Sequence, residues 1–202
     1  GGTIAVNNSS VSLTAAGQIE GSGTLSKEGP GRLSIANTNT CSGGSIIRSG
    51  SVAFTSDLAN SSGLGTDTIT LAGGSLVMFN SPTTSNTCSW KLKVQPGSTS
   101  TLVVDENSII AGSLNGAGTL YYNVPATTNF LSADLSAYAG TINVTTDADG
   151  GSFVLFNPKG YKEMKVNLNN QVKMIYRTTS TITLPLGDLT GTASSVLGAG
   201  GT

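Results

Sequence analysis

Apolar positions along this chain come in short alternating runs, not in helical stripes. Within residues 21–54, GSGTLSKEGPGRLSIANTNTCSGGSIIRSGSVAF, the β-forming runs fall at 24–25, 33–35, 45–47 and 51–54. Each is introduced by glycine, and the spacers are Gly, Ser, Asn and Thr, which turn a chain at little cost. Runs this short cannot make helices, and no window carries apolar residues at about 3.6-residue spacing. The same texture predicts further strands at 3–6, 11–13, 90–94, 102–104, 120–124, 153–156, 165–168 and 172–177, with a polar loop at 81–86.

The Gly-Ser/Thr-apolar unit recurs. Its glycines are Gly23, Gly50, Gly74, Gly97, Gly118 and Gly140, with gaps of 27, 24, 23, 21 and 22 residues. Two residues after each marker stand Leu25, Val52, Leu76, Leu120 and Ile142; four after it stand Phe54, Met78, Tyr122 and Val144. Side chains alternate faces along a strand, so both columns are expected to point inward. The column between them, Ala53, Val77, Tyr121 and Asn143, is expected to point out. Lys27 interrupts the pattern in the first coil, and the Gly97 unit is blurred. A helix-free repeat of this length fits an all-β parallel β-helix of roughly 22 residues per coil, each coil covering the apolar row of the one before.

Residues 21–54 resemble the autotransporter-associated β-strand repeat of bacterial surface proteins. The resemblance rests on Gly23-Thr24-Leu25, Lys27, Gly29, Gly31, Leu33, Ile35, Asn39-Thr40, Gly43-Gly44, Ile46 or Ile47, Gly50 and Val52; Arg32 and Cys41 depart from it. It implies a right-handed parallel β-helix and a secreted or cell-surface location, but no activity. In size and repeat texture the chain is also similar to the β-helical modules attached to bacterial xylanases, which implies binding to plant cell-wall xylan.

Composition narrows the partners. The formal net charge is −1 and only 10% of residues are charged, so no basic patch points to nucleic acid. No apolar run approaches the roughly 20 residues that span a bilayer, so membrane insertion is not expected. Residues 1–202 are read as one β-helix module of a longer secreted protein, covalently linked to catalytic or surface domains. The texture after Asn129 looks less repetitive, and residues 153–177 hold five of the ten basic residues. The two cysteines share one context, Asn39-Thr40-Cys41-Ser42 and Asn86-Thr87-Cys88-Ser89. Two coils at about 4.8 Å each put them beyond disulfide reach. Two buried thiols are therefore favoured over a bond, which would need an unusually wide coil.

Histidine is absent, which removes the commonest general base and transition-metal ligand. The carboxylates Asp57, Asp67, Asp105, Glu106, Asp134, Asp147, Asp149, Glu163 and Asp188 are scattered through turn-like sequence. Asp147 and Asp149 stand alternately before Gly150, as in calcium loops, but the downstream Glu is missing. No enzyme activity, metal or other cofactor is expected. Non-catalytic sugar binding needs only an exposed aromatic ring with polar groups beside it.

Tyr121 and Asn123 are expected outside, with Tyr122 inside. Trp90 is in phase with Leu92 and Val94, a core position, while Lys91 and Lys93 alternate outward. Tyr138 and Tyr176 fit structural positions. Tyr161 follows a loop-like Pro158-Lys159-Gly160, and Arg177 faces outward. The candidate ligand residues are therefore Tyr121, Asn123, Trp90, Lys91, Lys93, Tyr161 and Arg177. The expected function is a carbohydrate-binding module for xylan or a related plant glycan. The alternatives are a structural or adhesive passenger of a bacterial surface protein and, less favoured, a polysaccharide lyase or hydrolase.

Overall fold

The structure, a computed structural model, describes residues 1–54, 63–78, 87–104, 108–124, 128–146, 151–155, 160, 163–169, 171–177 and 186–200. The expected loop at 81–86 lies outside the described residues, as do Asp57, Asp105, Glu106, Asp147 and Asp149. Within the described residues the protein is all-β, without a helix, and its parallel strands stack as a solenoid with about 22 residues per coil.

Two parallel sheets form the walls. Sheet A has ten strands: β1 (Gly2–Ala5), β3 (Leu25–Glu28), β5 (Ser45–Ile47), β7 (Ile69–Leu71), β9 (Thr87–Val94), β11 (Ile109–Gly116), β13 (Thr128–Leu131), β15 (Ser152–Leu155), β17 (Lys173–Arg177) and β19 (Val196–Gly200). Sheet B has nine: β2 (Ser12–Ala15), β4 (Arg32–Ile35), β6 (Ser51–Phe54), β8 (Ser75–Val77), β10 (Thr99–Val103), β12 (Thr119–Val124), β14 (Thr141–Thr146), β16 (Lys165–Leu168) and β18 (Asp188–Gly191). Odd strands pair with odd and even with even, so each coil gives one strand to each wall. Strands β13 to β19 keep the same alternate pairing. The change of texture after Asn129 is therefore a change of side chains, not of architecture.

The inner rows of both sheets merge into one apolar core running from Leu25 to Met174. In sheet B the row reads Leu33, Val52, Leu76, Leu102, Tyr122, Val144 and Leu168. This corrects the sequence-derived columns in two ways. Leu25 belongs to sheet A. Beyond Gly74 the marker slips by two residues: Leu76 lies beside Leu102 and Tyr122, whereas Leu120 lies beside Ser100. The step from Leu76 to Leu102 is 26 residues, because the turn at Gln95 to Ser98 is inserted there. A slip of two preserves which face each side chain occupies, so Tyr122 is still fully buried and Tyr121 still 40% exposed.

Lys27, which matches the repeat motif but interrupts the apolar column, is a structural part. Its side chain turns inward beside Ile47 and is 2% exposed. The Nζ donates to the carbonyls of Glu28 (2.8 Å), Gly29 (2.9 Å) and Ser49 (3.2 Å), tying together corners of two successive coils. Burial lowers the pKa of this amine. Asn39 acts similarly at another corner. Its Oδ1 accepts the Ile19 N–H at 2.6 Å, and its Nδ2 donates to the Gly63 carbonyl at 2.6 Å, so one amide joins three coils. An unpaired buried carbonyl or N–H is costly, and these side chains remove that cost where the ladder is interrupted.

Cys41 and Cys88 are both buried and free. Each stands four residues before a position of the ladder Ser45, Ile69, Leu92, and Gly65 holds that place in the coil between. The thiols are therefore buried two coils apart, as the favoured reading expected, but only Cys41 sits in a corner: Cys88 lies inside β9, beside Ile110 of β11. Burial pushes the Cys88 thiol up to about 12.

Candidate functional site

The outer face of sheet B is a parallel platform whose strands lie about 4.8 Å apart. One in-register column on it reads Ser75, Thr101, Tyr121, Asn143, Asn167 and Thr190. Tyr121 stands in the middle of β12 because Leu120 and Tyr122, on either side, anchor the strand in the core. Beyond it the column is tied along the solenoid axis. Asn167 Nδ2 donates to Asn143 Oδ1 at 2.7 Å, and the Thr190 hydroxyl donates to Asn167 Oδ1. Thr99, Thr119 and Thr141 form the neighbouring column on one side, and Val103, Asn123 and Thr145 the other. The result is an exposed phenol flanked by hydroxyls and amides, arranged in rows. Such a surface can stack on a ring and hydrogen-bond to a hydroxyl-rich chain.

The remaining candidates do not join this platform. Lys91 and Lys93 are exposed on the outer face of sheet A, on β9. Arg177 is on the same sheet, on β17, with its guanidinium 5.5 Å from the centre of the Phe130 ring. Tyr121 and Asn123 are thus separated by the core from Lys91, Lys93 and Arg177. Trp90, also offered as a ligand contact, points inward: it is 4% exposed and packs on Phe54 with ring centres 5.5 Å apart. Its phase with Leu92 and Val94 decided this, and its indole N–H is buried without a hydrogen-bond partner. Tyr161 lies outside the described residues.

Two other tyrosines are structural. Tyr138 closes a corner by donating to Gly118 O (2.9 Å) and sitting 3.1 Å from Thr141 O, and burial holds its phenol well above the usual range. Tyr122 meets Phe153 edge-on at 5.1 Å and donates to the buried Asn129 Oδ1; its pKa is raised by burial first and by nearby Cys88 second.

The sequence columns missed Thr101 because the register slips at β10, and missed Asn167 and Thr190 because the glycine markers end at Gly140, before β16 and β18. Among the described residues, no three His, Cys, Asp or Glu side chains converge to hold a metal ion. Two hollows open beside the corner that precedes sheet A. One, of about 320 Å³, is lined by Ile19, Glu20, Thr24 and Cys41. The other, of about 200 Å³, is lined by Thr24, Ser45, Asp67 and Thr70. Each has one carboxylate in its lining, so neither has the acid pair of a glycosidase. No protein-family model, curated protein or solved structure matches the chain.

Proposed function

We propose that this chain is a non-catalytic carbohydrate-binding module of a secreted or cell-surface protein, taking a plant cell-wall polysaccharide along the outer face of sheet B. Xylan is the first candidate, on the resemblance to xylanase-attached β-helical modules. The observation that carries the reading is the placement of exposed Tyr121 in one column with Thr101, Asn143, Asn167 and Thr190. A neutral glycan lying along the column would stack one sugar on Tyr121 and offer its hydroxyls to the amides and hydroxyls on either side.

Affinity electrophoresis in gels containing xylan, soluble glucan or dextran tests this. Retardation by xylan or glucan, lost on Tyr121→Ala with an unchanged unfolding midpoint, supports the proposal. Normal migration in every gel overturns it.

The second reading is a structural or adhesive passenger that spaces other domains at a cell surface. It is favoured by the roles of Lys27 and Asn39, since these repeat-motif residues are buried in joining coils and are not presented to a ligand. Full retention of cell-surface display by the Tyr121→Ala protein, with no glycan binding by either form, would favour this reading.

A further inference from the structure

Cations are shared unequally between the two outer faces. On sheet B the outward cations are Arg32, which is half-buried and partnered, and Lys165, which lies beside Asp188 in the register so that the neighbouring carboxylate offsets its charge. On sheet A, Lys91 and Lys93 of β9 and Lys173 and Arg177 of β17 are all exposed. The acids of that face, among the described residues, are already engaged. Glu28 pairs with Arg48 at 3.6 Å, Asp67, beside Thr70 in the smaller hollow, accepts the Thr68 hydroxyl at 3.3 Å, and Asp134 accepts the Ser136 N–H at 2.9 Å. No described carboxylate pairs with the four cations of β9 and β17. The whole chain carries a formal net charge of −1, so this is a local patch on a slightly acidic protein.

The patch has an extended shape. Lys91 and Lys93 are two residues apart on one strand, or about 6.7 Å. In sheet order, β11, β13 and β15 separate β9 from β17, which places the two cation pairs about 19 Å apart along the solenoid axis. Ser113 and Asn115 lie beside the lysines, and Phe130 lies under Arg177. The register sets the pairs on a diagonal: the column Ile109, Phe130, Val154 and Ile175 meets β9 at Thr87, four residues before Lys91, and the row through Lys91 runs by Ser113 to Asp134. That apolar column is half-buried or buried, so it offers no broad greasy surface to a bilayer.

We infer that the outer face of sheet A binds an acidic polysaccharide, one whose uronate carboxylates meet Lys91 and Lys93 at one end and Lys173 and Arg177 at the other. Between them the chain crosses the hydroxyl and amide of Ser113 and Asn115 and the Phe130 ring. Charge complementarity on an extended face selects a linear polyanion. This inference does not rest on the sheet-B reading, and it makes no use of Tyr121.

Affinity electrophoresis at pH 7 in gels containing polygalacturonate is the test, with dextran as the neutral control. The protein should be retarded by polygalacturonate at about 0.1 M salt and released at about 1 M, where screening shortens to about 3 Å. Replacing both lysines (Lys91→Ala with Lys93→Ala) should weaken the retardation about fivefold. Lys165→Ala, on the opposite sheet, should leave it unchanged, and so should Tyr121→Ala. Equal retardation by dextran, insensitivity to the paired lysine change, or association with phosphatidylglycerol vesicles and not with polygalacturonate would each overturn the inference. A protein retarded by polygalacturonate but by none of xylan, soluble glucan and dextran would support it while removing the sheet-B proposal.

Discussion

Replacing Lys27 by methionine should cost about 3 kcal/mol of stability. Methionine keeps most of the aliphatic stem that packs beside Ile47 but removes the ammonium. The carbonyls of Glu28, Gly29 and Ser49 then lose donors at 2.8, 2.9 and 3.2 Å. Hydrogen bonds to a charged group contribute roughly 1.5–3 kcal/mol each, so the gross loss exceeds 4 kcal/mol. Two effects reduce it. The buried ammonium is itself poorly solvated, which is why its pKa is lowered, and that penalty disappears with it. Water can also reach part of the half-buried corner. Urea unfolding followed by Trp90 fluorescence measures the difference, since Trp90 is the only tryptophan and lies in the core. Lys91→Met, at an exposed site, should stay within about 0.5 kcal/mol and serves as the control. A Lys27→Met protein less than about 1 kcal/mol weaker than the parent would refute the assignment of Lys27 as a corner clamp.

Other perturbations separate further parts of the account. Gly116 and Gly97 both have positive φ, but a Cβ on Gly116 would lie 2.0 Å from Val94 O whereas one on Gly97 meets nothing within 4 Å. Gly97→Ala should therefore cost only the left-handed strain, about 1–2 kcal/mol, and Gly116→Ala clearly more in the same urea assay. Tyr122 and Tyr138 have folded-state pKa values above their unfolded value of about 10. Their contribution to stability is complete below about pH 10 and is lost as pH rises toward the folded-state values. Absorbance at 295 nm should show these two phenolates appearing only as the β-sheet circular dichroism collapses; reversible ionisation of all five tyrosines in the folded protein would contradict this. Cys41 and Cys88 should resist a thiol reagent such as dithionitrobenzoate in the native state and react together in denaturant, and prompt reaction of either in native protein would show its surroundings to be open.

The fold was legible because strand periodicity survives small errors of register. Tyr121 and Tyr122 were placed on the correct faces although the columns around them were misaligned by two residues, since a shift of two leaves inside and outside unchanged. The misalignment itself came from the turn after Val94, whose added residues look like any other Gly-Ser spacer. Strand β11 was not predicted. Its sequence, IIAGSLNG, contains Gly112 at φ +88°, a residue chosen for close approach to the Trp90 carbonyl and not for β propensity. Lys27 matches the repeat motif yet breaks the apolar column, and only its carbonyl partners show why a lysine stands there. The candidate site was less legible for a related reason. Lys91, Lys93 and Tyr121 were each correctly turned outward, but alternation says nothing about which of two sheets a strand joins, and the residues fall on opposite sides of the core.

The most direct test of the account is a distance along the sheet-B platform, because every assignment of a binding row depends on the coils stacking in this register. Ser12 and Thr190 are both exposed and occupy the same outward column, eight strand steps apart through Arg32, Ser51, Ser75, Thr101, Tyr121, Asn143 and Asn167. Spin labels placed at Ser12→Cys and Thr190→Cys, with Cys41 and Cys88 replaced by alanine, should report a narrow distribution whose backbone separation is about 38 Å. A separation under about 25 Å, or a broad distribution without that peak, would contradict the stacked solenoid and the binding faces built on it.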